Sequence, residues 1–198
     1  GGQLIHHNFN PGTFSSVDNV QQLEKRQALE GAVYLDHKHT FSNRLNVRYG
    51  IRYSGFAAIG GSEFEYFKDA SYRPIDSLTS TSRYKDGELH SVYGGFEPRA
   101  AISYNLNSLT ALKASYNRTY QYIQQASNTA SAFPTDQWFS SNNNVRPQIA
   151  DQVALGLFKN FDLGLETSVE VYYKWMQNQI DYRDGASLIF NDSLDGAL

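Results

Sequence analysis

Residues 44–57 read RLNVRYGIRYSGFA. The odd positions, Leu45, Val47, Tyr49, Ile51, Tyr53, Gly55 and Ala57, are nearly all apolar. The even positions, Arg44, Asn46, Arg48, Gly50, Arg52, Ser54 and Phe56, are mostly polar and include three arginines. Side chains alternate across a strand, so a period of two places these sets on opposite faces, whereas a helix would mix Leu45 with Arg48 and Tyr49. The pattern persists for about 14 residues, against about 5–6 in an ordinary strand. A strand crossing a bilayer needs about 9–11 residues with apolar side chains toward lipid and polar ones toward a lumen. The stretch is predicted to be such a strand.

Its neighbours repeat the pattern. Residues 23–37 set Leu29, Gly31, Val33 and Leu35 against Glu24, Arg26, Glu30 and Asp36, and a short turn at 38–43 links them to 44–57. A hairpin must oppose like faces, for example Glu30 with Arg52 and Val33 with Tyr49, with the register open by two residues. Residues 87–105 put Val92, Phe96, Ala100, Ile102 and Tyr104 on one face and Tyr93, Glu97, Arg99 and Ser103 on the other. Residues 110–122 oppose Leu112, Ala114, Tyr116, Tyr120 and Tyr122 to Lys113, Ser115, Asn117, Thr119 and Gln121. Arg118 falls with the apolar set, and is expected at the outer interface or beside a bulge, since a lipid-facing arginine costs about 2–4 kcal/mol at midplane but about 0–1 near the interface. Residues 149–159 carry Val153, Leu155 and Leu157 on one face; residues 165–177 alternate Thr167, Val169, Val171, Tyr173 and Trp175 against Glu166, Ser168, Glu170, Tyr172 and Lys174.

Residues 1–10 resemble the outer end of another strand, closed by Pro11-Gly12. Long polar segments, 58–86, 123–148 and 180–198, alternate with short turns at 38–43, 105–109 and 160–164. Transmembrane barrels alternate in this way, with short periplasmic turns and long extracellular loops. Aromatic residues at strand ends, Tyr104 and Phe161 on the turn side and Tyr53, Tyr120, Tyr173 and Trp175 on the loop side, suit the two membrane interfaces.

Composition is consistent with this. The chain has 198 residues, 40% of them hydrophobic, and its mean hydropathy of −0.51 excludes a helical membrane protein but not a barrel, whose strands are half polar. A net charge of −3 gives no basic footprint for nucleic acid. With no cysteine there are no disulfides or thiolate metal sites. The first residues lack the basic start and apolar core of an export signal. About six full strands are predicted, whereas bacterial barrels have an even number from about 8 upward, and an open sheet in lipid leaves its edge N–H and C=O groups unpaired. Residues 1–198 are therefore expected to be part of a larger all-β, antiparallel, up-and-down transmembrane barrel.

Several stretches resemble the barrel of TonB-dependent outer-membrane receptors: EPRAAISY at 97–104, LKASYNR at 112–118, Gln121-Tyr122, Pro147-Gln148, Asp151-Gln152, Ala154-Leu155-Gly156, and residues 170–174 with Asn178, Ile180 and Asp181. The resemblance implies a barrel of about 22 strands with a plugged lumen in the bacterial outer membrane. It further implies uptake of a scarce nutrient (metal chelate, cofactor or glycan) through a TonB-type energy-coupling partner acting on the plug. Plug, coupling segment and remaining strands are expected outside these residues. The expected partners are outer-membrane lipid, the receptor's own plug and other strands, and a small-molecule or oligosaccharide ligand.

The polar face is expected to form the lumen wall, carrying Glu30, Arg44, Arg48, Arg52, Glu97, Arg99, Glu166 and Glu170. The arginine stripe lines an anion path, or pairs with carboxylates of the wall and plug; the residues leave both open. Tyr66, Phe67, Phe133, Trp138 and Phe139 lie in loops and are the candidate ligand contacts, because aromatic faces suit sugars and flat chelates; loop packing is the competing role. His37 and His39 share a strand face but fall at the predicted turn with no carboxylate arranged to join them, and are read as surface histidines. The acidic tail residues Asp181, Asp184, Asp192 and Asp195 lack a calcium-loop spacing. No nucleophile elbow or catalytic constellation is present, so neither enzyme activity nor a cofactor is expected. Two alternatives compete: a soluble β-sandwich binding carbohydrate through the same aromatics, and an outer-membrane barrel enzyme using a carboxylate such as Glu97. The barrel requires lipid, not protein, against Val47, Ile51, Leu155 and Val171.

Overall fold

The computed structural model describes residues 1–9, 13–15, 20–22, 26–66, 78–126, 137–161 and 164–180. Its strands are β1 (Gly2–Phe9), β2 (Thr13–Ser15), β3 (Val20–Gln22), β4 (Arg26–Thr40), β5 (Leu45–Tyr66), β6 (Leu78–Asn105), β7 (Thr110–Gln121), β8 (Ile123–Ala126), β9 (Gln137–Ser140), β10 (Gln148–Asn160) and β11 (Glu166–Gln177). Seven of them form one antiparallel sheet in the order β1-β4-β5-β6-β7-β10-β11, while β2–β3 and β8–β9 are separate two-stranded ladders. The long strands follow one another up and down, the meander that the alternating pattern requires.

Three tight turns close one end of the sheet. Between β4 and β5 the Phe41 N–H donates to the Leu45 carbonyl at 3.0 Å, and the Ser42 hydroxyl accepts from the N–H groups of Arg44 and Leu45. Between β6 and β7 the Asn107 side chain accepts from Leu109 N–H at 2.9 Å. At the third, Phe161 N–H bonds to Leu165 C=O, and Gly164 takes the left-handed conformation (φ +77°) that favours glycine. Short side chains thus satisfy backbone groups where there is no room for a longer connection.

Register follows the faces throughout. Val47 lies opposite Ile102, Ile102 opposite Ala114, Ala114 opposite Leu155, and Leu155 opposite Val171, one apolar row across five strands. Among the described residues nothing covers this side. Ile51 is 46% exposed, Leu155 47% and Val171 62%, whereas on the opposite side Ser54 is 1% and Phe56 2% exposed. The small buried cluster is Ala28, Phe56, Ala58 and Tyr122, with Tyr93, Tyr120 and Ile123 packed against it. A β-sandwich would bury the greasy side; here that side is exposed, while the charged side is buried only around Ser54, Phe56 and Tyr122.

Several sequence expectations are corrected. The six full strands and the strand end at residues 1–10 do share one sheet of seven, but finer expectations change. The β4–β5 hairpin pairs Val33 with Tyr53, Tyr34 with Arg52 and Glu30 with Phe56, so the face assignment holds but the register is displaced from Glu30–Arg52. His37 and His39 lie within β4 because the turn is confined to 41–44. The segment 58–86 is not wholly loop: β5 and β6 continue as a paired hairpin, with register shifts at Phe56/Ala58 and Ile59/Gly61. Each shift disrupts the alternation that made the lower halves readable.

Candidate functional site

The polar face of the sheet carries two ionic groups. Nearer the turns, Arg48 donates to Asp36 through Nε at 2.8 Å and also through Nη2, and Arg99 Nε lies 3.7 Å from the other carboxylate oxygen. Gly50 makes this possible, because a Cβ there would stand 2.7 Å from the Asp36 oxygen and 3.2 Å from Arg99 Nε. Further from the turns, Arg52 stands between Glu30 (3.9 Å) and Glu97 (3.7 Å), and His7 of β1 approaches Glu30 at 3.2 Å. Ser54 donates to Glu97 and shares a 2.7 Å hydrogen bond with the Tyr122 hydroxyl.

Between the turns and the Arg52 group the wall is concave. A cavity of about 520 Å³ is lined by Lys38, Arg48, Ser103, Lys113, Ser115 and Glu170, among others. The Lys113 ammonium rests 4.0 Å above the Phe158 ring. Of the eight expected wall residues, Glu30, Arg48, Arg52, Glu97 and Arg99 are brought into the two ionic groups, and Glu170 into the cavity wall. Arg44 lies instead in the β4–β5 turn, exposed, and Glu166 begins β11 beside the third turn. The carboxylate partners favour ion pairing within the wall over a free arginine track.

At the loop end, β7 stays paired with β6 only as far as Asn117 opposite Arg99. Beyond that the chain turns over the polar face. Tyr122, expected on the lipid face, is 2% exposed against Phe56 (ring centroids 5.3 Å apart), and its hydroxyl also donates to the Ser54 carbonyl at 3.2 Å. Burial pushes this phenol up to about 12. Tyr120 leaves the lipid face with it, lying where a Cβ on Gly95 would fall. Residues 140–145 follow: Ser141 N–H bonds to the Tyr122 carbonyl at 2.8 Å, and the Tyr93 hydroxyl to the Asn142 carbonyl at 2.8 Å. Alternation alone misplaces these tyrosines, since it assumes the strand continues straight.

Among the proposed ligand-contact aromatics, Trp138 is 54% exposed in the β8–β9 ladder opposite Gln125. Tyr66 ends β5 and Phe139 lies in β9, with side chains outside the described residues; Phe67 and Phe133 lie outside them altogether. Of these five side chains only that of Trp138 lies within the described residues. His37 packs at a tilt against Tyr49, and His39 edge-to-face against Phe41, on the apolar side near the turns. Among the described residues no group of three or more metal-ligating side chains occurs.

The sequence singled out Arg118 by its departure from the pattern, but not its partner. Arg118 lies directly opposite Asp151 of β10, and Asp151 opposite Trp175 of β11. Arg118 grips the carboxylate through Nε (2.8 Å) and Nη2 (3.0 Å), and the Tyr116 hydroxyl donates to it at 2.7 Å. Asp151 is wholly buried by these neighbours, although it stands on the apolar side of the sheet. It is a second charge out of pattern, on the odd-numbered set of β10 with Val153 and Leu155; two opposite off-pattern charges on adjacent strands were the available signal.

The family described as TonB dependent receptor-like, beta-barrel matches residues 4–193. No curated protein matches the chain. No solved structure matches it.

Proposed function

Because the chain belongs to the TonB-dependent receptor-like β-barrel family, we propose that it forms part of the wall of a bacterial outer-membrane receptor that captures a scarce nutrient and admits it through its lumen. The family is one of receptor-transporters rather than enzymes. The observation that carries the proposal is the uncovered apolar row Val47–Ile102–Ala114–Leu155–Val171, backed across the same sheet by ionic groups on the opposite face. Such a sheet is stable where hydrocarbon meets the first face and a polar interior the second.

The wall's charges act locally. Arg48 with Asp36, and Arg52 with Glu30 and Glu97, hold β4, β5 and β6 together from inside the lumen. Capture falls to the extracellular ends, where β5–β6 project beyond the membrane span and Trp138 is exposed. A plug domain fills the lumen, and its displacement by a TonB-type partner drives uptake. The nutrient is a metal chelate, a cofactor or a glycan, classes that share a flat face for aromatic contact. Glu97 is engaged by Ser54 and Arg52, which argues against a free catalytic carboxylate.

The test uses the intact receptor in outer-membrane vesicles and in cells. It should partition with membranes, and labelled nutrient supplied from a panel of these classes should enter only when the energy-coupling protein is present. A receptor recovered entirely from buffer, or uptake unchanged without the coupling protein, would overturn the proposal.

A further inference from the structure

The Arg118–Asp151 pair is not needed to join β7 to β10, whose backbone ladder is regular from Gln148–Gln121 to Lys159–Thr110. Arg118 lies eight positions beyond Thr110, the first residue of β7. At about 3.3 Å per residue and a strand tilt of about 40°, that is a rise of about 20 Å from the turn end, close to the outer limit of a hydrocarbon band about 25 Å tall. The pair therefore stands where acyl chains give way to headgroups. Below it on the same face are Tyr116 opposite Val153, and Ala114 opposite Leu155. Beside it is Trp175, directly opposite Asp151 in the ladder.

The guanidinium is only partly consumed. Asp151 takes Nε and Nη2, the Arg118 side chain stays 37% exposed while that of Asp151 is 1% exposed, and no further partner for Nη1 occurs among the described residues. The pair is thus turned with its carboxylate inward and its cationic edge toward the membrane. An arginine fork keeps donors for a second oxyanion after binding one carboxylate edge-on.

We propose that this cluster is a docking point for the phosphate of an anionic lipid headgroup at the outer edge of the membrane. Arg118 presents its free edge to the phosphate, Asp151 and Tyr116 fix the guanidinium plane, and Trp175 and Tyr116 flank it at the level of the acyl-chain ends of the headgroups. The inference rests on the apolar face being the lipid-facing one.

The experiment reconstitutes the intact receptor in bilayers of zwitterionic phosphatidylcholine mixed with phosphatidic acid and measures, by native mass spectrometry, which lipid stays bound. The wild-type protein should retain phosphatidic acid several-fold over its share of the bilayer. Arg118→Met with Asp151→Leu, an apolar replacement of the whole pair, should insert normally and lose that preference. Asp151→Asn, which keeps the geometry but removes the competing charge, should raise it. No preference in the wild type, or an undiminished preference in the double variant, would overturn the docking point while leaving the receptor assignment intact. Failure of the wild type to enter bilayers would overturn both.

Discussion

Asp151 shows how one residue sets the energetics of a whole face. A carboxylate on the membrane side is tolerable only if its charge is met on the spot, and Arg118 and Tyr116 do this together. Removing only the cation leaves a buried charge without a partner, a loss that typically costs about 3–5 kcal/mol, whereas replacing both partners by apolar groups is often near neutral. Arg118→Met should therefore lower the urea midpoint of the intact receptor in vesicles far more than Arg118→Met with Asp151→Leu; equal losses would show that the pair is not acting as a unit. Tyr122 gives a second test at this scale. Its phenol ionises near 12 in the folded chain against about 10 in the unfolded one. Between those values the unfolded state releases a proton that the folded state keeps, so the Tyr122 contribution is intact below pH 10 and declines as pH rises to 12. Unfolding midpoints measured across that range should fall more steeply for the wild type than for Tyr122→Phe. Parallel curves would mean that Tyr122 is not buried against Ser54 and Phe56.

At the scale of the strand, the two faces make opposite demands on the same substitution. Val171 is about five residues into β11, near the middle of the span, and faces lipid; Ser168 is on the other side, opposite Phe158. An arginine at a midplane lipid position costs about 2–4 kcal/mol, so Val171→Arg should impair folding into vesicles in urea titrations while Ser168→Arg changes it little. Similar costs at both positions would remove the distinction between the faces. This two-sidedness is also why the lower halves of the strands were legible. Leu45 to Tyr53, Ile102 with Tyr104, and Leu112 to Tyr116 keep strict alternation because every second residue meets lipid, and face identity then fixes register to even steps. The step itself was not legible: Glu30 opposite Arg52 and Glu30 opposite Phe56 satisfy the same face rule, and the tight Phe41–Leu45 turn decides between them. Above the membrane the constraint lapses. The register shifts near Phe56 and Ile59 interrupt the period in β5, and the inward turn of β7 beyond Asn117 carries Tyr120 and Tyr122 to the polar side. The ionic half of the wall was legible in kind, since Arg48, Arg52, Glu30, Glu97 and Arg99 all fell on the polar set. Their pairing was not, because it depends on where neighbouring strands stop.

At the scale of the molecule, stability turns on the two edges of the sheet that have no neighbour among the described residues. Among the described residues β1 and β11 each pair along one edge only. Half of the N–H and C=O groups on such an outer edge point away from the sheet, which for a span of about 10 residues is about five of each. In hydrocarbon each unsatisfied group costs several kcal/mol, so a sheet with free edges is stable in lipid only when further strands or another chain complete it. The apolar side cannot compensate in water either, because Val33, Leu35, Phe96, Val169 and Val171 are all exposed on it, and exposed apolar area of this kind drives association. The intact receptor should therefore fold into vesicles as a species that resists denaturation by detergent until heated, while residues 1–198 alone should fail to give a protease-resistant monomer in the same vesicles and should self-associate in buffer. A stable, monomeric, lipid-free form of residues 1–198 would mean that the apolar row is covered in solution, and with it the membrane assignment of the sheet would fall.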